Sequence, residues 1–378
     1  MRQQLPYERA TRFLDSAAVN SEVTARNYAV TLKDFDAYLQ TRHLDLEKVI
    51  YTIKKGKNSV YEILQGYVPH LHKKGARNST IRVKLAGVKS YLQFYDIDIV
   101  PIKFKNQVRP PKKDTEDGDP LDIDDVRALL NVCTNRRLKT LLFVLASGGM
   151  RITEALAIRI MDINIDQMPT RVHIRREFTK TRKPRDIFIS NEATRFLRQW
   201  LGWKYSQERA NPLERKGEDL IFRANQETTK DLGNIYRSVL NEWHRALKAA
   251  NLAKMKEGVH RYTITIHSLR GFVKTVLSDQ ISSDYSEWFL GHSKSTYWQK
   301  KPEERASLYL EKCMPHLTFQ DMTEIRTHAK SMEKTIDDLQ RQLRAKDKKM
   351  KQIALDAARQ VYSEQKGLKG EFGKPTLS

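Results

Sequence analysis

Apolar positions follow a three-to-four-residue rhythm through most of this chain. Between Ala17 and about Asp96 it runs through Tyr28, Leu32, Phe35, Tyr38 and Leu39, and later through Ile81, Leu85, Val88 and Leu92. That spacing places one side of each helix in a core, and it predicts a small helical domain over residues 1–100. The stretch PIKFKNQVRPPKKDTEDGDP, residues 101–120, is dense in Pro, Lys and Asp and has no periodicity. It reads as an extended linker.

A second domain is expected over residues 121–320. Asp122 stands as N-cap of DIDDVRALLNVC, and RLKTLLFVLASGG reads as a buried helix that stops at Gly148-Gly149. A further helix opens with MRITEALAI. Beyond it, TRVHIRREF and PRDIFIS alternate apolar and polar residues around the polar stretch TKTRK, the pattern of a β-hairpin or short sheet. Helices resume at Asn191 and Lys230, and another covers HSLRGFVKTVLS. The fold class is therefore mainly α with a small β-sheet.

From about Asp321 the pattern changes. Ile325, Ala329, Met332, Ile336, Leu339, Leu343, Lys346, Met350, Ile353 and Ala357 lie alternately four and three apart, a heptad seam interrupted at Lys346. Residues 321–362 are expected to form a coiled-coil-like helix, with a single solvated helix as the alternative. Residues 363–378, ending in GLKGEFGKPTLS, read as a disordered tail.

Charge narrows the partners. Lys and Arg number 68 against 46 Asp and Glu, a formal net charge of +22 over 378 residues, which points to a polyanion such as nucleic acid. In that light Arg82, Lys84 and Lys89, off the apolar stripe of STIRVKLAGVKSYLQFY, form either a DNA-facing surface or ordinary solvated charge. Cys133 and Cys313 are the two cysteines. A pair excludes a disulfide framework or multi-cysteine zinc site and fits a reducing compartment. No apolar run approaches a bilayer span and MRQQLPYERATRF has no signal-peptide core, so a soluble, cytoplasmic and nucleoid-associated protein is expected, without membrane contact.

The chemistry-bearing residues fall in four segments: ASGGMRITEAL with Arg151, FTKTRKPRDIFI with Lys180, ITIHSLRGF with His267 and Arg270, and FLGHSKSTYWQKK with His292 and Tyr297. Each is a weak signal alone. In this order they resemble the tyrosine recombinase (integrase) family, whose catalytic set is Arg, a hairpin Lys, His-x-x-Arg, a Gly-His pair and a later Tyr. The resemblance covers about residues 120–320, and the helical domain before it only by general arrangement.

The resemblance implies a core-binding helical domain ahead of a catalytic domain, and breakage and rejoining of double-stranded DNA by a homo-oligomer, a tetramer on DNA. Two guanidiniums, Arg151 and Arg270, would clamp the charge that builds on non-bridging phosphate oxygens. A phenol with pKa near 10 can both attack the phosphate and leave again. Lys180, or its rival Lys183, would protonate the leaving sugar oxygen. His267 and His292 would hydrogen-bond the phosphate or assist proton transfer at the tyrosine. No metal, nucleotide or other cofactor is implied, and the chain has neither a Walker-type glycine loop nor an acidic cluster of the two-metal kind.

One feature departs from the family pattern. Tyr297 follows His292 by only five positions, whereas most members place the nucleophile further on, and the next tyrosine is Tyr309, inside RASLYLEKC. Tyr297 with Trp298-Gln299-Lys300 resembles recombinases of archaeal and viral type and is favoured over Tyr309. A type IB topoisomerase and a non-catalytic architectural DNA binder remain alternatives.

Overall fold

The computed structural model describes residues 5–112, 119–208, 212–223, 232–256, 261–292, 300–320, 335–336, 338–354 and 357. The chain divides into two compact units, residues 1–117 and 118–378.

The first unit is helical: α1 (Glu8–Asn20), α2 (Glu22–Gln40), α3 (Leu46–Lys54), α4 (Val60–Lys73), α5 (Asn78–Phe94) and α6 (Pro101–Gln107). Local chemistry sets several boundaries. Ser21 caps α2 by accepting from the Thr24 amide, and Asp45 caps α3 by accepting from the Glu47 and Lys48 amides. Leu32, Phe35, Leu39, Ile81, Leu85, Val88 and Leu92 are all buried, as their spacing predicts. Helix α1 starts nine residues before the expected Ala17 and adds Ala10, Phe13 and Leu14 to the core.

One expectation changes here. Residues 101–107, read as linker, are helical, with Pro101 at the helix start, where its missing N–H costs nothing. Helix α6 buries no residue of its own and so carries no periodic signal. Its flanks hold it: the Val100 amide donates to the Tyr61 hydroxyl at 3.1 Å, Val108 is buried, and the Arg109 amide donates to Gln65 Oε1 at 2.7 Å. The three cations of α5 all have partners within this unit. Lys84 pairs with Asp34 at 2.5 Å, Lys89 lies over the Phe104 ring at 5.1 Å, and Arg82 donates to the Pro111 carbonyl at 3.2 Å.

The second unit is built around α8 (Arg136–Gly148), buried without a break from Thr140 to Gly148. Helix α7 (Ile123–Val132) precedes it, opened by Asp122 in a reciprocal capping box with Asp125. After α9 (Ile152–Leu156), the strands β1 (Ile163–Asn164), β2 (Thr170–Ile174) and β3 (Arg185–Ile189) form an antiparallel sheet in the order β1-β2-β3. Val172 stands opposite Ile187, so the two buried rows share the face that meets the core. Helices α10 (Asn191–Lys204), α11 (Leu232–Ala249), α12 (Ile266–Gln280), α13 (Ser283–Leu290) and α14 (Pro302–Leu308) follow. Both α10 and α12 pack on α8, and Phe143 of α8 stacks on Phe196 of α10 at 4.1 Å between centroids. A fully buried ring such as that of Phe143 contributes about 1.5–3 kcal/mol.

Residues 338–354 form a helix, and its Leu339, Leu343, Met350 and Ile353 are 56–70% exposed. The apolar seam thus exists as an open stripe. Its Ile325, Ala329 and Met332 portion, and the tail at 363–378, lie outside the described residues.

Candidate active site

The site forms where α8, α12 and α13 end or begin against β3. Gly149 leaves α8 with φ +59, and a Cβ there would meet Leu290 Cδ2 and Val273 Cγ1 at 2.8 Å. Only glycine turns the chain at that point without a clash. Two residues later Arg151 opens α9. Its backbone amide donates to Glu154 Oε2 at 2.8 Å and its Nη1 to Glu154 Oε1 at 2.9 Å.

Glu154 is 1% exposed. It also accepts from Arg185 of β3, at 2.7 Å from Nη2 and 3.3 Å from Nη1. Burial would push its carboxyl upward, but the Arg185 hydrogen bonds and the charges of Arg185 and Arg151 outweigh that and hold it below the usual range. Arg185 reaches further, donating from Nε to the Phe289 carbonyl of α13 at 3.2 Å. Gly291, with φ +73, leaves room for it: a Cβ would come within 2.9 Å of three Arg185 side-chain atoms.

Arg270, in the second turn of α12, is buried. Its Nη1 donates to the Gly149 carbonyl at 2.8 Å and its Nη2 to the Leu290 carbonyl at 2.6 Å. These are the C-terminal ends of α8 and α13, where the helix dipoles favour a cation. Burial, then the charge of Arg151, lowers Arg270 to about 10, so it stays charged at neutral pH. Its Nη2 also lies 3.1 Å from His292 Nε2. The other ring nitrogen, Nδ1, hydrogen-bonds Glu287 Oε2, whose second oxygen takes Lys274 at 2.7 Å. His267, one turn before Arg270, stays open to solvent. Partial burial, then the charges of Arg270 and Arg151, lower its pKa below the usual imidazole value.

The structure therefore brings Arg151, His267, Arg270 and His292 into one electrostatic neighbourhood. Lys180 lies exposed in the connection between β2 and β3. Tyr297 is outside the described residues. Its rival Tyr309 is fully buried, stacked on Phe289 with centroids 5.6 Å apart, and donates its hydroxyl to the Ser147 carbonyl at 3.0 Å. Burial raises its phenol well above the usual value. Glu154, Arg185, Glu287 and Lys274 were not singled out by sequence reasoning; of these only Glu154 left a local signal, standing three residues after Arg151 as a capping-box acid does.

Three arginines with two glutamates leave this site net positive, so a bound anion would relieve the mutual repulsion of Arg151 and Arg270. Among the described residues, no three or more His, Cys, Asp or Glu side chains are grouped to hold a metal ion. Among the same residues no helix is long and apolar enough to cross a membrane.

Known proteins resemble this chain in both of its compact units. The family model described as phage integrase family matches residues 120–300, and that described as phage integrase, N-terminal SAM-like domain matches residues 10–95. Transposase A from transposon Tn554 of Staphylococcus aureus is 24% identical over 209 residues, 52% of this chain and 53% of the relative. Tyrosine recombinase XerA of Saccharolobus solfataricus is 24% identical over 163 residues, 43% of this chain and 51% of the relative. The chain thus spans about half the length of these relatives. A lambda integrase tetramer bound to a Holliday junction shares the fold, with TM-score 0.50 and 16% identity over 80% of this chain and 76% of that one. With one matching family model in each compact unit, the chain belongs to the phage integrase family of tyrosine recombinases.

Proposed function

We propose that this chain is a site-specific recombinase that cleaves and rejoins double-stranded DNA through a 3′-phosphotyrosine intermediate. The observation that carries the reading is the pair Arg151 and Arg270. Glu154 holds one guanidinium and the Gly149 carbonyl the other, and both charges add to partial burial in lowering the pKa of His267. Preorganised charge of this kind stabilises the pentacoordinate phosphate of a transesterification. In the reaction the Tyr297 oxygen attacks phosphorus, the bond from phosphorus to the 5′ oxygen breaks, and Lys180 supplies the proton to that oxygen. His267, kept neutral, hydrogen-bonds the phosphate and helps move the tyrosine proton, and His292 borders the same phosphate. Tyr297 is preferred over Tyr309 because the latter's hydroxyl is buried and already engaged.

The net charge of +22 supports a duplex DNA partner. Assembly as a homotetramer on DNA is supported by the open heptad seam and by the tetrameric lambda integrase of like fold. Action at the nucleoid follows from that substrate. The family match favours this reading over a relaxing topoisomerase or an architectural binder. The test is incubation of the full chain with DNA fragments flanking its own gene, followed by denaturing gels and mass spectrometry of the linked peptide. A tyrosine-linked strand is expected. Binding without any covalent adduct on every fragment would reduce the protein to a DNA binder.

A further inference from the structure

We infer that Glu287 is a positioning residue that fixes His292 as the neutral Nδ1–H tautomer, so that its Nε2 lone pair orients Arg270. The argument starts from what each partner can do. An ionised carboxylate only accepts hydrogen bonds and a guanidinium only donates them. His292 stands between the two: Nδ1 meets Glu287 Oε2 and Nε2 lies 3.1 Å from Arg270 Nη2. Nδ1 must therefore carry the proton and Nε2 must present its lone pair. An imidazolium, or the other tautomer, would point an N–H at the guanidinium.

The ionised state of Glu287 has its own support. Lys274 holds the second carboxylate oxygen at 2.7 Å, and that hydrogen bond, ahead of the one to His292, keeps the carboxyl below the usual glutamate range. Lys274 and Arg270 sit four residues apart on α12, Glu287 and His292 five apart across the end of α13. The chain Lys274, Glu287, His292, Arg270 therefore closes a loop between the two elements. The Gly149 and Leu290 carbonyls fix one side of the guanidinium, and His292 adds a third contact.

This deepens the recombinase reading and rests on Arg270 binding the phosphate. It assigns His292 a different part in the DNA-free protein from the phosphate donor that sequence reasoning proposes: its Nε2 has no proton to give while Arg270 holds it. Preorganising the guanidinium lowers the cost of reorganisation when the phosphate arrives.

The test uses the full chain with its ten histidines labelled with ¹⁵N in the ring. Long-range proton–nitrogen spectra report the tautomer of each, and His292→Gln identifies the relevant signal. The wild-type signal is expected to be Nδ1–H. In Glu287→Gln, the side-chain amide can donate to Nδ1, so the Nε2–H form should grow. Strand cleavage in that variant should slow by about tenfold to a hundredfold, the range expected for a misaligned catalytic group, with DNA affinity unchanged. A wild-type signal of the Nε2–H or doubly protonated kind overturns the inference, as does an unchanged tautomer and cleavage rate in Glu287→Gln. The wild-type spectrum decides the matter even if the variant fails to fold. Failure of the wild-type protein to form any DNA adduct would instead count against the recombinase reading and leave the tautomer result standing.

Discussion

Arg270 and Gly149, 121 positions apart in sequence, are joined by a 2.8 Å hydrogen bond from the guanidinium to the glycine carbonyl. The same glycine, by its left-handed turn, aims the chain toward Arg151. One residue thus anchors one arginine of the site and determines the direction of the other.

Replacing these arginines separates structure from chemistry. Either Arg151→Ala or Arg270→Ala should slow strand cleavage by on the order of 10²–10³, the loss seen when one preorganised charge donor is removed. Arg270→Ala should in addition lower stability by about 1–3 kcal/mol, because the buried Gly149 and Leu290 carbonyls lose their donor. In Arg151→Ala, Glu154 keeps Arg185, so unfolding in urea should stay within about 1 kcal/mol of wild type. Equal destabilisation by both substitutions would contradict this account of how each arginine is held.

The two tyrosines should behave oppositely. Tyr297→Phe is expected to abolish the covalent adduct while sparing DNA binding. Tyr309→Phe should still form the adduct, and should lose about 1 kcal/mol of stability with the hydroxyl that donates to Ser147. Denaturing gels and urea titrations read the two effects. An adduct that survives Tyr297→Phe and disappears in Tyr309→Phe would move the nucleophile to Tyr309.

Glu154 makes stability depend on pH in the acid range. Its folded-state carboxyl binds a proton less readily than in the unfolded chain, because Arg185 and Arg151 surround it. Its contribution is therefore complete above the usual glutamate pKa, about 4.3. That contribution is lost as pH falls through and below that range, where the unfolded state takes up the proton first. Urea unfolding across this range should show a shallower decline in Glu154→Gln than in wild type. Parallel curves would mean that the carboxyl is not held as described.

The exposed seam predicts self-association. Removing residues 321–378 leaves Phe319 and Gln320 in place, with their amides donating to Glu192 at 2.7 and 3.0 Å, so the second unit should fold as before. Assembly of several protomers on DNA should weaken, whereas binding by one subunit should persist. Sedimentation of the protein–DNA complexes checks this, and identical assembly by the truncated chain would remove the seam from the mechanism.

The sequence alone determined the helices and their ends wherever the signal is local. Core spacing in α2 and α5, the Asp122 capping box and the stop at Gly149 each involve residues within a few positions of one another. It also made Arg151, His267, Arg270 and His292 visible as candidates without a fold, whereas Lys180 and Tyr297 rest on the family order of the sequence alone. Tertiary structure alone decided what holds them. Glu154 meets Arg185 across 31 positions, Arg270 meets Leu290 across 20, and Tyr309 reaches Ser147 across 162. Helix α6 likewise shows itself through tertiary contacts, at its flanks with residues 39 and 44 positions away and at Phe104 with Lys89. Periodicity and capping are encoded in adjacent residues. The partner of a buried charge depends on which helix ends packing brings together, and no short stretch of sequence contains that information.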